Sequence, residues 1–240
     1  MAVVTDWAVI ETADGEMPMY MARPEGGSAG PGILVVHDMF GLTEHVQDVC
    51  RRFAGEGLIA LAPDLYYSFA TRRVPYDAPE QAQSLRQQRS DDKVFDDLYA
   101  AFRLLAARGE VRSGLVGAVG FGTGGRDAFL QATRNSEVLA LVTFYAPLAS
   151  EAPTAALQAC ARLEPPALLL FAGEDSTIST DDVACVDKTL AELGKDYELI
   201  TYPQVSHGFF CDAQPDVYDA DTAAEAWNRT VDFLYERLEG

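Results

Sequence analysis

The sequence predicts an α/β fold in which a doubly wound, mostly parallel sheet is covered by helices on both faces. Three observations predict it: short continuous apolar segments recur along the 240-residue chain, segments of helical periodicity separate them, and a hairpin signal stands at the start. Two domains would need a linker, and none is evident in the sequence. A single domain over residues 1–240 is therefore expected.

The predicted strands are apolar throughout, as is typical of strands that are buried on both faces of a sheet. They cover residues 32–37, 58–63, 115–121, 139–145, 167–172 and 197–202. Helical periodicity is found over residues 44–56, 90–108, 125–133, 181–193 and 223–238. Asp14-Gly15, between residues 3–10 and 17–21, predicts an antiparallel hairpin before the parallel strands. Residues 66–88 interrupt the alternation, and such irregular insertions often shape a substrate pocket.

Composition and charge narrow the class of partner. The formal net charge of −19 disfavours binding to nucleic acid or to anionic membranes, so a small-molecule substrate is expected, with the chain as a monomer or homodimer. The four cysteines have no Cys-x-x-Cys spacing, so neither a disulfide framework nor a zinc site is indicated, and no metal or cofactor is expected. The first 15 residues have no apolar core of signal-peptide length, and no apolar run elsewhere approaches the length of a membrane span, which predicts a cytoplasmic protein.

Residues 120–125, Gly-Phe-Gly-Thr-Gly-Gly, form the most informative motif. They follow a predicted strand and open a predicted helix, as a nucleophile elbow of the type Gly-x-Nuc-x-Gly does. The central position holds Gly122, which tolerates the strained backbone of an elbow but carries no reactive group. A glycine-rich turn that only packs is the alternative. A phosphate-binding loop is disfavoured because no Gly-Lys-Ser/Thr ending is present.

An acid and a histidine follow the elbow in the order found in α/β-hydrolases. Asp175 comes directly after the predicted strand at 167–172, and His207 follows the strand at 197–202 by a short loop. Because the carboxyl ends of parallel strands meet at one edge of a sheet, we expect Asp175 to orient His207 beside the elbow.

Five motifs between about residue 32 and residue 210 resemble those of the dienelactone hydrolase family. They are His-Asp-Met-Phe-Gly-Leu at 37–42, Ala-Pro-Asp-Leu-Tyr at 62–66, the elbow, Gly-Glu-Asp at 173–175 and Ser-His-Gly-Phe at 206–209. The resemblance implies an α/β-hydrolase fold and a His207/Asp175 pair. It also implies an oxyanion hole formed by the backbone amides of Met39 and Thr123.

Three positions depart from the family pattern. Gly122 stands where the family has its cysteine nucleophile, and Asp38 stands where it usually has a glutamate that contacts the resting thiol. Cys211 occupies the position at which dienelactone-cleaving members place an arginine that grips the substrate carboxylate. The first departure argues against covalent catalysis, and the third against a dienelactone as substrate.

The sequence therefore predicts an enzyme that uses His207 and Asp175 as a dyad on a small ester, lactone or enol-type substrate without a covalent intermediate. Asp38 is a second titratable group whose pKa burial is expected to raise. The same dyad could instead serve an isomerase, cyclase or lyase. A non-catalytic ligand-binding member is a further alternative, and so is an introduced glycine in place of cysteine. The expected pocket residues are Tyr66, Tyr67, Phe209 and Cys211.

Two other arrangements could replace the missing nucleophile. Cys211 lies four residues beyond His207 and could reach the imidazole if its loop folded back, although a free cysteine is most often a small buried apolar residue. A metal held by His37, Asp38 and His207 is disfavoured, because successive side chains of a strand point to opposite faces and His37 should point away from Asp38.

Overall fold

A computed structural model describes residues 1–26, 29–149 and 156–239. Its strands are β1 (Val3–Thr12), β2 (Gly15–Pro24), β3 (Gly30–Val36), β4 (Ile59–Pro63), β5 (Val111–Phe121), β6 (Ala140–Phe144), β7 (Ala167–Ala172) and β8 (Tyr197–Tyr202). Its α-helices are α1 (Glu44–Gly55), α2 (Pro79–Gln87), α3 (Asp91–Ala106), α4 (Thr123–Arg134), α5 (Thr180–Glu192) and α6 (Ala220–Glu239). A 3₁₀ helix covers Ala156–Arg162.

The strands form one eight-stranded sheet in the order β1-β2-β4-β3-β5-β6-β7-β8. The pairs β1/β2 and β2/β4 are antiparallel, and the pairs from β4/β3 to β7/β8 are parallel. The predicted hairpin is confirmed, but its turn lies one residue earlier than Asp14-Gly15, because Thr12 pairs with Gly15 and the turn is Ala13-Asp14.

Helices cover both faces of the sheet. A Cβ on Gly32 of β3 would contact Leu105 of α3, whereas one on Gly117 of β5 would contact Leu234 of α6. Gly117 pairs with Ile33, the neighbour of Gly32, and neighbouring residues of a strand face opposite sides. Helices α3 and α6 therefore lie on opposite faces, which agrees with the doubly wound architecture.

Burial follows from this layering. Every residue of β3, β4, β6 and β7 is buried, whereas β8 at the sheet edge is not fully buried at any position. The continuous apolar runs that predicted the central strands are thus explained by cover on both faces. Within the described ranges, no helix combines the length and the apolar character that crossing a membrane requires.

The main difference from the sequence-based expectation concerns residues 66–88. They were expected to be irregular, but they contain helix α2. Pro79 stands in its first turn, where a missing amide costs nothing, and Ala82 and Leu85 form its short buried stripe. A nine-residue helix with two buried apolar side chains gives too weak a periodic signal to recognise within an insertion.

The topology places the candidate residues at one edge of the sheet. Gly122 follows β5 directly, Asp175 follows β7 by three residues, and His207 follows β8 by five. Since β5, β7 and β8 run parallel, their carboxyl ends open on the same side, which is where α/β folds bind ligands.

Candidate active site

The elbow has the backbone of a nucleophile turn. Gly122 has φ 51° and ψ −123°, and its N–H donates to the carbonyl of Phe144 at 2.9 Å. The turn requires its flanking glycines, because a Cβ on Gly120 would lie 2.3 Å from the carbonyl oxygen of Gly124. A Cβ on Gly124 would lie 2.1 Å from the carbonyl oxygen of His37. Strand and helix approach too closely there for any side chain.

The central glycine is different, since a side-chain carbon at this position would meet no clash. A Cβ on Gly122 would lie 3.6 Å from Cβ of Asp38, 3.8 Å from Nε2 of His207 and 4.0 Å from Cδ2 of Tyr145. All three are ordinary van der Waals distances. The fold therefore does not require glycine here for lack of space, and a side chain at this position would start beside the imidazole of His207.

His207 and Asp175 form a hydrogen-bonded pair. Nδ1 of His207 lies 2.7 Å from Oδ2 of Asp175, and the side chains are 33% and 1% exposed. Oδ1 of Asp175 accepts the backbone N–H groups of Thr177 at 2.7 Å and Ile178 at 2.9 Å. Burial alone would raise the pKa of Asp175, but the hydrogen bond from His207 and the two amides lower it overall. Because a carboxylate only accepts, Nδ1 carries the proton and Nε2 presents its lone pair towards Gly122.

Aromatic packing fixes the loop that carries His207. Phe209 and Phe210 are fully buried, with Phe210 stacked on Phe121 at 5.4 Å between ring centroids. The ring of Tyr145 lies 4.9 Å from that of His207. Tyr145 follows β6 and has φ 39°, which is strained for a residue with a side chain. The sequence does not reveal this tyrosine as a site residue, since no motif marks a residue whose backbone strain places it in a site.

Asp38 is a second titratable group beside Gly122. Its side chain is partly buried and its Oδ1 accepts the N–H of Phe40 at 2.9 Å. Burial raises the pKa of Asp38 to about 6, against the opposing effects of the Phe40 amide and of His45 and His207. A carboxyl group with this pKa exchanges a proton near neutral pH.

His37 is structural. Its Nδ1 donates to the carbonyl of Asp38 at 2.6 Å, and its Nε2 accepts the N–H of Leu65 at 3.1 Å. Burial lowers the pKa of His37 to about 4, so the ring stays neutral. Both nitrogens are engaged, which leaves none for a metal. Across the residues that the structure describes, no group of three His, Cys, Asp or Glu side chains is arranged to hold a metal ion.

The two amides expected in the oxyanion hole are available for hydrogen bonding. Thr123 is the first residue of α4, and its N–H has no acceptor within the described ranges; the same is true of Met39. Both residues line the cleft that also contains His207. The N-terminus of α4 adds a partial positive charge at this point.

A cleft of about 660 Å³ opens in front of these groups. Helix α2 forms one wall, and the opposite wall carries the candidate catalytic groups. The lining residues are Met39, Pro79, Glu80, Gln83, Ser84, Gln87, Thr123, Pro147, Thr177 and His207. Among the lining residues in the described part of the chain, none is a lysine or an arginine. The surface that these residues expose to the cleft is mostly apolar, and Glu80 is the one acidic side chain among them.

The four residues expected to line the pocket do not line this cleft. Tyr66, Phe209 and Cys211 are buried, with exposures of 0%, 0% and 2%, and the hydroxyl of Tyr66 donates to the carbonyl of Met39 at 3.0 Å. The hydroxyl of Tyr67 instead lies 3.3 Å from Oδ1 of Asp97. Aromatic composition alone did not distinguish residues that support the site from residues that face it. Apart from Pro79, the α2 residues that do face it are polar, and none belongs to a motif.

Cys211 has a different partner from the one considered from the sequence. Its thiol interacts with His45, Tyr76 and Gln214. His207 is held by Asp175 and Tyr145. Cys211 therefore belongs to a separate group of side chains, and nothing in the geometry makes it the nucleophile of the His207/Asp175 pair.

Comparison with known proteins identifies the family. A sequence model described as "Dienelactone hydrolase family" matches residues 17–238. The chain belongs to this family. The resemblance drawn from the motifs is thereby confirmed, and membership of the dienelactone hydrolase family indicates a hydrolase-type enzyme.

Individual relatives support the same assignment. A protein named "Putative carboxymethylenebutenolidase" from Methylorubrum extorquens is 32% identical over 229 residues, covering 94% of this chain and 78% of that protein. The crystal structure of a "Putative Dienelactone Hydrolase" from Klebsiella pneumoniae superposes with a TM-score of 0.90 at 29% identity, covering 98% of this chain and 99% of that one. A cold-adapted esterase from an Arctic intertidal metagenomic library has a TM-score of 0.74 at 18% identity, covering 99% and 95%, and shares the fold.

Proposed function

We propose that this member of the dienelactone hydrolase family hydrolyses small, uncharged esters or lactones by general-base catalysis, without a covalent acyl-enzyme. The observation that carries the proposal is the 3.8 Å separation between Nε2 of His207 and a Cβ at Gly122. In a relative with a nucleophile at this position, the space in front of the elbow holds that side chain. In this chain the same space is free to admit a water molecule within reach of Nε2.

Each group of the site has a role in this proposal. His207 takes the proton from water through Nε2, while Asp175 keeps Nδ1 protonated and stabilises the imidazolium that forms. The amides of Met39 and Thr123 donate to the oxyanion of the tetrahedral intermediate. The imidazolium then returns the proton to the leaving alkoxide. Oxyanion stabilisation and positioning leave roughly 10³-fold catalysis over water when a triad loses a member, so such an enzyme is slow but not inert.

The charge of the cleft supports an uncharged substrate. The name carboxymethylenebutenolidase denotes enzymes whose lactone substrate carries a carboxylate, and such a group needs a cation to bind it. Glu80 and the partly ionised Asp38 would repel a carboxylate, and Cys211 replaces the arginine expected from the family pattern. The amides of Gln83 and Gln87 and the hydroxyl of Ser84 suit a substrate with neutral polar groups.

A second candidate function is proton transfer without hydrolysis. The position of Asp38 favours it, because its carboxyl group, with a pKa of about 6, and the imidazole of His207 flank the same space at Gly122. A carboxyl group and an imidazole on either side of one bound substrate can remove a proton at one atom and deliver it at another. An isomerase or cyclase acting on an enol-type substrate would use this arrangement.

The experiment measures turnover of p-nitrophenyl acetate and of small neutral lactones by the protein and by His207→Gln, with thermal unfolding to verify that the variant folds. Hydrolysis by the protein and its loss in folded His207→Gln supports the proposal. Deuterium uptake from D₂O by an enolisable lactone, without ring opening, would favour the second candidate. A melting shift on ligand addition without any turnover would contradict both and indicate a binding protein.

A further inference from the structure

A thiol, an imidazole and a carboxylate, those of Cys211, His45 and Asp212, form a separate group outside the His207/Asp175 pair. His45, at the start of α1, has Nδ1 2.8 Å from Oδ1 of Asp212. The side chain of His45 is 5% exposed, whereas that of Asp212 is 54% exposed. Because the carboxylate can only accept, Nδ1 of the neutral ring carries the proton and Nε2 has the lone pair. The arrangement repeats the way in which Asp175 orients His207.

The lone pair of His45 is buried and otherwise unused. Nε2 has no hydrogen-bond partner of normal geometry within the described residues, and Cys211 is the thiol beside it. Burial alone would lower the pKa of His45, but the adjoining Cys211 and Asp212 raise it overall. Burial alone would raise the pKa of Cys211, but His45 holds it below the value of a free thiol. Transfer of the thiol proton to Nε2 gives both buried atoms a charged partner.

The other buried cysteines provide the contrast. Cys50 is 0% exposed and Cys160 is 3% exposed, close to the 2% of Cys211. Burial raises the pKa of Cys50 and of Cys160, as expected for thiols in apolar surroundings. The environments of these three thiols differ in that only Cys211 has an imidazole with a carboxylate behind it. Burial is therefore not what distinguishes Cys211.

Groups from several elements face this thiol. Tyr76, from the segment before α2, and Gln214, from the loop after His207, both lower the pKa of the Cys211 thiol. Tyr145 and Asp38 are close enough for their charges to interact with this cluster. The hydroxyl of Tyr76 also lies 2.9 Å from the hydroxyl of Thr43. A thiolate here would have His45 as its counter-ion, with Tyr76 and Gln214 as further polar neighbours.

We propose that Cys211, His45 and Asp212 form a peroxide-reactive site that is independent of the hydrolytic function. The Cys211 thiolate attacks one oxygen of hydrogen peroxide and the O–O bond breaks. The imidazolium of His45 gives its proton to the departing hydroxide, which leaves as water. Sulfur is oxidised to the sulfenic acid and the peroxide is reduced, so no further reductant or oxidant is required. Since the thiol is nearly inaccessible, the site selects small, neutral oxidants.

The test exposes the protein to hydrogen peroxide in the presence of dimedone, which traps sulfenic acids, and follows all four cysteines by peptide mass spectrometry. We expect Cys211 to be labelled first, ahead of the exposed Cys185 and well ahead of Cys50 and Cys160. In His45→Gln the rate at Cys211 at pH 6.5 should fall by about tenfold or more, since each unit of thiol pKa changes the thiolate fraction tenfold. Near pH 9 the variant should approach the rate of the unchanged protein.

Two controls distinguish a specific loss of Cys211 reactivity from unfolding of the variant. Cys50 and Cys160 report unfolding, because both become labelled if a variant loses its fold. Asp212→Asn removes the exposed carboxylate and should slow labelling of Cys211 in the same direction as His45→Gln, while Cys50 stays unlabelled. The proposal is overturned if native Cys211 is labelled no faster than Cys50. It is also overturned if folded His45→Gln reacts at the unchanged rate at pH 6.5.

Discussion

Nε2 of His207 lies 3.8 Å from the point at which a side chain on Gly122 would begin. This distance relates the two parts of the site, which are the elbow at Gly122 and the imidazole that Asp175 orients. The elbow backbone, with φ 51° at Gly122, and the Asp175-oriented imidazole are both built as they would be around a nucleophile. Under the proposed function, the chain keeps the groups that position a nucleophile, while Gly122 supplies no reactive atom.

Gly122→Cys should restore covalent catalysis. The new Cβ meets no atom closer than 3.6 Å, so the first atom of the side chain fits without displacement, at a backbone cost of about 1–3 kcal/mol for the positive φ. With His207 as its base, the thiol should react with p-nitrophenyl acetate to give a burst and a mass increase of one acetyl group. We expect kcat/KM to rise about tenfold or more.

Gly122→Ala is the matched control for the cysteine variant. Its methyl group carries the same backbone strain and occupies the space next to Nε2, but it has no nucleophile. Under the proposed water mechanism it should hydrolyse the ester more slowly than the unchanged protein and should show no acetylated species. Equal rates for Gly122→Ala and the unchanged protein would mean that water does not act from this space.

Asp175→Asn should reduce hydrolysis by about 100-fold or more, because an amide facing Nδ1 permits the wrong tautomer and no longer stabilises the imidazolium. The Asn oxygen can still accept the N–H groups of Thr177 and Ile178, so the loop should keep its conformation. Initial rates with a neutral ester measure the effect. Unchanged rates in a folded Asp175→Asn variant would show that His207 does not act as a base.

The sequence was most informative where a backbone requirement limits the choice of residue. Gly120 and Gly124 are fixed by contacts of 2.3 and 2.1 Å that no side chain could make, and together with the strand before them they made the elbow recognisable. Asp175 and His207 were recognisable because strand order dictates where they meet. The steric requirement for glycine and the effect of strand order do not depend on the substrate.

The sequence was least informative where tertiary packing determines which residues face the cleft and which residues contact each other. Helix α2 forms a wall of the cleft through polar residues such as Gln83 and Ser84, whose pattern resembles an ordinary exposed helix. Tyr66 and Phe209 were expected in the pocket because aromatic side chains often line one, yet both support it from behind. The pairing of Cys211 with His45 joins residues 166 positions apart, and no local pattern predicts such a contact.

Asp38→Asn should stabilise the protein at pH 7.5 but not at pH 4. The pKa of Asp38 is raised from an ordinary 3.8 to about 6, so this group favours the folded state below pH 4 and that contribution is lost as the pH rises through 6. The amide cannot ionise and still accepts the N–H of Phe40. From the size of the pKa shift we expect about 2–3 kcal/mol of added stability at pH 7.5, relative to pH 4, by urea unfolding.

Asp232→Asn, on the exposed face of α6, is the control for charge in general. It removes one negative charge from a chain of net charge −19 without removing a buried carboxyl group. A gain in stability at pH 7.5 as large in Asp232→Asn as in Asp38→Asn would mean that relief of overall repulsion, and not burial of Asp38, explains the effect.

Gln83→Arg should change the preferred substrate charge. Gln83 lines the cleft on α2, and an arginine there adds the cation that the lining residues of the described structure lack. We expect KM for an ester bearing a carboxylate to fall about tenfold relative to its neutral analogue, which corresponds to roughly 1.4 kcal/mol of added binding for a charge-assisted hydrogen bond. Steady-state kinetics on the two substrates measure the ratio.

Gln81→Arg provides the comparison, because Gln81 lies on the same helix but is exposed and outside the cleft lining. It changes the net charge by the same amount, so any effect it shares with Gln83→Arg comes from long-range attraction of the anionic substrate. Long-range attraction weakens with added salt, since charges separated by more than about 10 Å are screened at 0.1 M. A preference that appears equally in both variants, or that disappears with salt in both, would mean that the α2 wall does not contact the substrate.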